Sequence, residues 1–220
     1  MYFTKTPALL KPLAADLVWD IPTVEDELFL TFDDGPHPEV TGEVLDYLQA
    51  YGAKATFFCV GRNAEQYPEL KERILAEGHS IGNHTYAHEK GWNTPKSEYI
   101  RSVLKCSDFV ESELFRPPFG RISRAQMAAL KNRFHIVMWD VLSGDFDPRA
   151  GGVKCAMNVI NNARRGSIVV FHDSLKCKDN MLFALPRVLQ HFREKGFRFS
   201  AIRQEQLATE RYRDTSISTP

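Results

Sequence analysis

Asp33 and Asp34 stand side by side in "TFDDGP" at the end of an apolar run, where two carboxylates facing one space would repel each other. A cation resolves the conflict by neutralising one and leaving the other ionised as a base for the water that such a cation acidifies. Successive residues of a continuing strand face opposite ways, so both can reach one place only if the strand ends there, and Gly35 and Pro36 end it. The stretch "GNHTYAH" adds His84 and His88, four residues apart, so that on one helical turn both imidazoles reach a single cation. Two neutral imidazoles and a carboxylate form a three-ligand set with open positions, the pattern of a catalytic divalent metal site. Alone, "DDGP" reads equally well as a plain turn, and an isolated HxxxH more often caps a turn or bonds carbonyls.

Three further residues fit the same chemistry. In "FRPPFG", Arg116 could grip a catalytic carboxylate through a forked hydrogen bond, and the stiff loop after it could aim a backbone N–H at a developing oxyanion. In "VVFHDS", His172 emerges from an apolar run, and with Asp145 as partner it would stay protonated and serve as a general acid. The bland alternatives are a surface arginine and a core histidine bonded to backbone.

These side chains need elements to hold them. Short β-rich runs at 27–33, 53–60, 79–82, 113–116, 135–141, 167–172 and 197–202 alternate with amphipathic segments near 38–51, 63–77, 96–109, 123–132, 153–165 and 180–195. About seven β/α repeats specify an α/β fold with a parallel sheet and crossover helices. No GxGxxG or P-loop follows the first strand, so a closed or nearly closed barrel is expected rather than an open dinucleotide fold. Asp33, Asp34, His84, His88, Arg116, Asp145 and His172 fall at or just past the C-terminal ends of five different predicted strands, the end where α/β barrels build their sites.

"TFDDGP", "HTYAH", "RPPFG", "SGDF" and "VVFHD", in this order and spacing, resemble the five motifs of the polysaccharide deacetylases, the NodB-homology enzymes of carbohydrate esterase family 4. The resemblance runs from about Leu28 to about Asp173 and implies a distorted (β/α)7 barrel in a single domain. It implies Asp33 as general base, and Asp34, His84 and His88 as ligands of one divalent ion, zinc first, with cobalt, manganese, nickel or iron as alternatives. It further implies that Arg116 orients Asp33, that the Phe119 N–H stabilises the oxyanion, and that Asp145 tunes His172 as the acid for the leaving amine. The expected reaction is hydrolysis of an N-acetyl group on an amino sugar or N-acetylated glycan.

Three departures concern the groove wall: Phe146 stands where the family usually has Trp, Leu142 where Asp is common, and Glu89 where Pro is common. Trp92 and Trp139 are candidate sugar-stacking surfaces, with a core role at least as well supported for Trp139. Three alternatives remain open: an O-acetyl xylan or glycan esterase of the same family, a non-catalytic carbohydrate-binding protein, and a non-haem iron oxygenase using the same two-histidine, one-carboxylate set.

Bulk properties fit this reading. The 220 residues are 43% hydrophobic and carry 28 basic and 28 acidic side chains, so no electrostatic argument favours nucleic acid, and no stretch reaches the length of a membrane span. The expected partner is a carbohydrate bearing acetyl groups. Four widely spaced cysteines without a CxxC pair are expected as free thiols. Residues 1–26 are expected to form an extension packed on the barrel, 27–205 the catalytic domain and 206–220 a polar tail. The opening residues do not read as an export signal, which gives a cytoplasmic expectation for a native start and an extracytoplasmic one for a trimmed start.

Overall fold

The computed structural model of the protein describes residues 2–11 and 16–207, so the expected tail lies outside the described residues from 208 onward. The strands are β1 (Leu17–Val18), β2 (Glu27–Asp33), β3 (Ala55–Cys59), β4 (Ser80–Asn83), β5 (Leu114–Phe115), β6 (His135–Val137), β7 (Val141–Leu142), β8 (Ile168–His172) and β9 (Arg198–Phe199). The helices are α1 (Thr41–Ala50), α2 (Gly61–Gln66), α3 (Pro68–Ala76), α4 (Lys96–Cys106), α5 (Arg124–Leu130), α6 (Gly151–Asn162) and α7 (Lys178–Glu194). Hydrogen-bonded neighbours run β1-β6-β5-β4-β3-β2-β8-β7, with β9 on β2, and every one of these pairings is parallel. The sheet curls into a distorted barrel wrapped by helices.

The pleat of β2 explains both layers. Leu28, Leu30 and Phe32 point outward into one core with Val44 and Leu48 of α1 and Leu185 and Leu189 of α7. Phe29 packs in a second cluster with Phe58, Leu114, Val137 and Ile168, and Thr31 and Asp33 share its face. A strand covered on both sides must be apolar almost throughout, which is why "ELFLTFD" reads as a run rather than as an alternation. The two polar residues on its inner face are therefore costly to bury and need partners.

Three expected elements differ. The strand over 135–141 is two strands in opposite halves of the sheet, β6 between β5 and β1, and β7 at the far edge against β8. Between them the chain crosses the seam: the Met138 N–H donates to the Val18 carbonyl at 2.7 Å, and the Asp140 N–H to that of Ile168 at 3.0 Å. The helix over 63–77 breaks at Tyr67, because Pro68 starts α3 and cannot continue the ladder of α2. The strand over 197–202 pairs only at Arg198 and Phe199.

The N-terminal segment straps the seam. Lys5 bridges Val141 in antiparallel fashion, the Thr6 N–H donates to the Asp140 carbonyl, and the Leu142 N–H donates to that of Thr4. The fully buried Asp140 carboxylate takes Lys5, Lys11 and the Ser167 hydroxyl. Cys59, Cys106, Cys155 and Cys177 are free and buried, and among the described residues no helix is long and apolar enough to cross a membrane.

Candidate active site

At the end of β2 the chain turns sharply at Asp34, whose φ of 80° lies in the left-handed region. Side chains from other elements hold the turn. Asn63 donates to the Asp34 carbonyl at 2.8 Å, and Asp173 accepts the Gly35 N–H at 3.0 Å and the Thr41 hydroxyl at 2.6 Å. Gly35 is required: a Cβ there would sit 2.0 Å from Asp173 Oδ2. The two carboxylates thus leave the strand in different directions while staying at one mouth.

Asp34, His84 and His88 converge. His88 Nε2 lies 3.0 Å and His84 Nε2 3.6 Å from Asp34 Oδ1. Burial raises the Asp34 carboxyl, but the bonds to His84 and His88 outweigh it and hold it well below the usual carboxylate range. The helical turn expected for the two histidines is absent. His84 follows β4 directly, and His88 returns through a loop with φ of 61° at both Thr85 and His88. That loop bonds to itself and its neighbours: Asn83 accepts the Thr85 N–H, Ser102 that of Tyr86, and the Thr85 hydroxyl that of Glu89. Among the described residues, the non-glycine positions with positive φ are Asp34, Thr85, His88 and Phe119, all at this site. Each costs about 1–2 kcal/mol, strain that the rest of the fold offsets.

This donor set fits a divalent cation. The His84 Nδ1–H donates to the Arg116 carbonyl at 2.8 Å, which leaves the Nε2 lone pair facing Asp34 and His88. One ligand atom from each of the three residues lies within 4.8 Å of the others.

Arg116 is fully buried and links the site to the barrel interior. Its Nη1 donates to Asp33 Oδ1 at 2.6 Å and to the Thr31 hydroxyl at 2.7 Å. The expected fork is not made, because Nε and Nη2 are taken by the Val137 and Met138 carbonyls at 3.1 and 2.8 Å. Those carbonyls belong to the seam crossing, so the break between β6 and β7 helps to fix the guanidinium. Its plane also stacks on Phe58, with 4.0 Å from Cζ to the ring centroid.

On the far wall His172 closes β8. Asp145 Oδ1 accepts its Nδ1–H at 2.7 Å, and Oδ2 accepts its backbone N–H at 2.7 Å. Burial pulls this imidazole down, but Asp145, helped by Asp34 and Asp33, outweighs it and raises the pKa to about 9. The ring is therefore an imidazolium near neutral pH, with Nε2–H free to donate.

A cavity of about 630 Å³ joins these groups, lined by Asp33, Asp34, His84, His88, Phe119, Phe146 and His172. Phe119, at φ 60°, sets its ring 4.7 Å from His88. Leu142 and Trp139 also line it. Trp92 does not: its indole N–H donates to the Ile122 carbonyl, and its ring carries the Arg121 guanidinium at 4.8 Å.

Sequence reasoning missed several wall residues. Tyr2, from the N-terminal strap, packs against Phe146 with ring centroids 4.9 Å apart and planes tilted by 60°, and the Phe146 ring meets His172 edge-on at 5.4 Å. Lys90, Arg121, Lys176 and Cys177, with Val170 and Ser174, complete the lining, and Asp173 supports the turn from below. Only Asp173 carried a signal, as the acid that ends "VVFHD".

Comparison with known proteins agrees with this arrangement. A family model described as polysaccharide deacetylase matches residues 20–134. The chain is 35% identical over 193 residues to a peptidoglycan-N-acetylglucosamine deacetylase of Bacillus cereus, covering 84% of this chain and 91% of that one. It is 36% identical over 162 residues to a chitooligosaccharide deacetylase of Azorhizobium caulinodans, covering 68% and 74%. A crystal structure of a peptidoglycan N-acetylglucosamine deacetylase in complex with 4-naphthalen-1-yl-N-oxidanyl-benzamide matches with a TM-score of 0.82 at 32% identity, covering 90% of this chain and 95% of that one. The chain belongs to the polysaccharide deacetylase family.

Proposed function

We propose that the protein is a metal-dependent hydrolase that removes N-acetyl groups from an amino-sugar glycan. The observation that carries this reading is the arrangement around one cavity: a carboxylate held by a buried arginine, a two-histidine, one-carboxylate set beside it, and an imidazolium opposite. The relatives' acetamido-sugar substrates point the same way.

Asp34, His84 and His88 would hold the divalent ion, zinc before cobalt or manganese given the two imidazoles. When bound, that ion supplies Lewis acidity, polarising the acetamide carbonyl and acidifying water. Asp33, held and oriented by Arg116, takes the proton of the attacking water. The Phe119 N–H is the donor we assign to the developing oxyanion. His172, charged through Asp145, passes the proton on its Nε2 to the sugar nitrogen as the C–N bond breaks. Acetate and a free amine leave.

Acetate release tests the reading, measured over N-acetylated and O-acetylated glycans with zinc, cobalt and manganese supplied in turn after chelator treatment. The expected result is metal-restored release from N-acetylglucosamine oligomers. Release from acetylated xylan alone would reassign the protein as an O-acetyl esterase, and release from neither would reject the hydrolase.

A further inference from the structure

Cys177 has no part in the reaction assigned above, yet it lines the cavity, whereas Cys59, Cys106 and Cys155 lie in the hydrophobic core. Its place is set by the segment after β8. His172 ends that strand, and a short turn over Leu175–Cys177 brings the thiol back beside it before α7 begins at Lys178. The Cys177 N–H donates to the Ser174 carbonyl at 3.0 Å, and the Ser174 hydroxyl to Sγ at 3.4 Å. Asp145 arrives from the loop after β7, and Asn180 of α7 donates to its carbonyl at 3.1 Å, so the helix that follows Cys177 also holds the acid.

Among the described residues, two groups of three side chains bring one ligand atom each to within 4.8 Å of the others. The first is Asp34 with His84 and His88; the second is Asp145 with His172 and Cys177. A carboxylate, an imidazole and a thiol are donors for zinc or cobalt, not for magnesium, which takes oxygen almost throughout. The second group is enclosed: Asp145 and Cys177 are each 1% exposed, and entry is by the cavity that His172 and Cys177 line. Two protons stand in the way of a cation there. The Nδ1–H of His172 is bonded to Asp145 Oδ1, and burial, followed by the Asp145 charge, pushes the Cys177 thiol up to about 12. A cation entering this group sends one proton from the imidazolium and one from the thiol to solvent, so it binds less tightly than at the first group. There Asp34 is already ionised and His84 already presents a lone pair.

We propose that Asp145, His172 and Cys177 form a second, inhibitory site for zinc and similar thiolate-binding cations, filled only when such a cation is in excess. A cation on either ring nitrogen of His172 has exchanged with a proton, so the imidazolium that serves as general acid is lost while Asp33 and the first group stay intact. The effect on rate rests on the deacetylase reading; the binding itself does not.

Cobalt titration and zinc inhibition test the site together. Metal-free protein is titrated with cobalt(II) in the absence of oxygen while the near-ultraviolet charge-transfer absorption of a cobalt–thiolate bond is followed. The first group offers no sulfur, so this absorption is expected only beyond the first equivalent, and it should be absent in Cys177→Ser. Acetate release from an N-acetylglucosamine oligomer is then measured with one equivalent of zinc and with zinc in increasing excess. The expected result is a fall of about 100-fold at saturation, the lower end of what a general acid supplies, and no fall when the excess is magnesium. The zinc concentration giving half of that fall should rise at least about 10-fold in Cys177→Ser, since even the loss of an outer-shell partner weakens metal binding by about 10- to 100-fold. Each inhibited rate is divided by the same variant's rate at one equivalent, so a general loss of activity cancels. Should Cys177→Ser not fold, Cys177→Ala and the cobalt spectrum of the parent protein read the same site. No thiolate absorption in the parent at any cobalt excess, absorption that persists without Cys177, or zinc inhibition unaltered by the substitution would overturn the proposal alone. Thiolate absorption with undiminished acetate release would overturn its inhibitory role. No acetate release at one equivalent of zinc would overturn the deacetylase reading, and the cobalt spectrum would still decide the site.

Discussion

At the scale of single residues, the site separates groups that look alike in sequence. Asp33 and Asp34 are adjacent, yet one meets a buried guanidinium and the other two imidazoles, because a left-handed turn at Asp34 parts them. His172 differs from His84 because a carboxylate, not a carbonyl, accepts its Nδ1–H. Its pKa is raised to about 9, so the acid form persists up to that pH and is lost above it. In Asp145→Asn the charge that offsets burial is gone, so the alkaline limb of the kcat profile should move to lower pH by more than one unit. A limb that stays in place would show that His172 is not the group titrating. Tyr2 and Phe146 together occupy the wall beside His172, where the family usually has one tryptophan. Tyr2→Ala should raise KM for a glycan oligomer about 2- to 10-fold, the worth of one aromatic face, with kcat changed less than twofold.

At the scale of elements, the turn after β2 is the most constrained segment. A Cβ on Gly35 would overlap Asp173, so Gly35→Ala should lower the urea midpoint by an amount equivalent to about 1–3 kcal/mol and weaken zinc binding, as seen by competition with a chelator. Burial raises the Asp173 carboxyl to about 8, so near neutral pH it stays largely protonated while bonded to Gly35 and Thr41. Asp173→Ala strands a buried N–H and a hydroxyl, at a cost of about 1–3 kcal/mol in equilibrium unfolding. Asp173→Asn keeps an acceptor for the Gly35 N–H but turns an amide NH2 toward the Thr41 hydroxyl, and should recover only part of that loss. The sequence made β2, β3 and β8 legible because buried parallel strands are continuous apolar runs ended by polar residues. It hid the break in 135–141, since "HIVMWDV" is apolar on both sides of the crossing and only long-range partners divide it. It also hid the route of "HTYAHEK", because four-residue spacing fits a helical turn and a self-bonded loop equally well.

At the scale of the whole molecule, the barrel is completed by a strap rather than by a continuous ladder. Lys5 and Lys11 converge on Asp140, and the same strap brings Tyr2 to the cavity, so closing the seam and building the wall are one event. No local pattern could have shown this, since Lys5 and Asp140 are 135 residues apart. Burial raises the Asp140 carboxyl, but the two lysines and Ser167 outweigh it and leave it lowered. A lowered pKa stabilises the fold above the unfolded carboxylate value of about 3.9, and that stabilisation is lost as pH falls through the folded value. Asp140→Asn should therefore be less stable than the parent at pH 7, by about 1.5–3 kcal/mol, with the gap narrowing as pH drops below about 4. The motifs of the site were legible because catalysis fixes residue types at strand ends, whereas Tyr2, Lys90, Arg121 and Lys176 of the wall belong to no motif. The account as a whole depends on Asp33 acting as base beside the ion that its neighbours hold. The direct measurement is acetate release from an N-acetylglucosamine oligomer by Asp33→Asn, with zinc content measured on the same sample. The account predicts zinc bound as in the parent and kcat lower by at least about 100-fold; near-parental acetate release with zinc bound would contradict it.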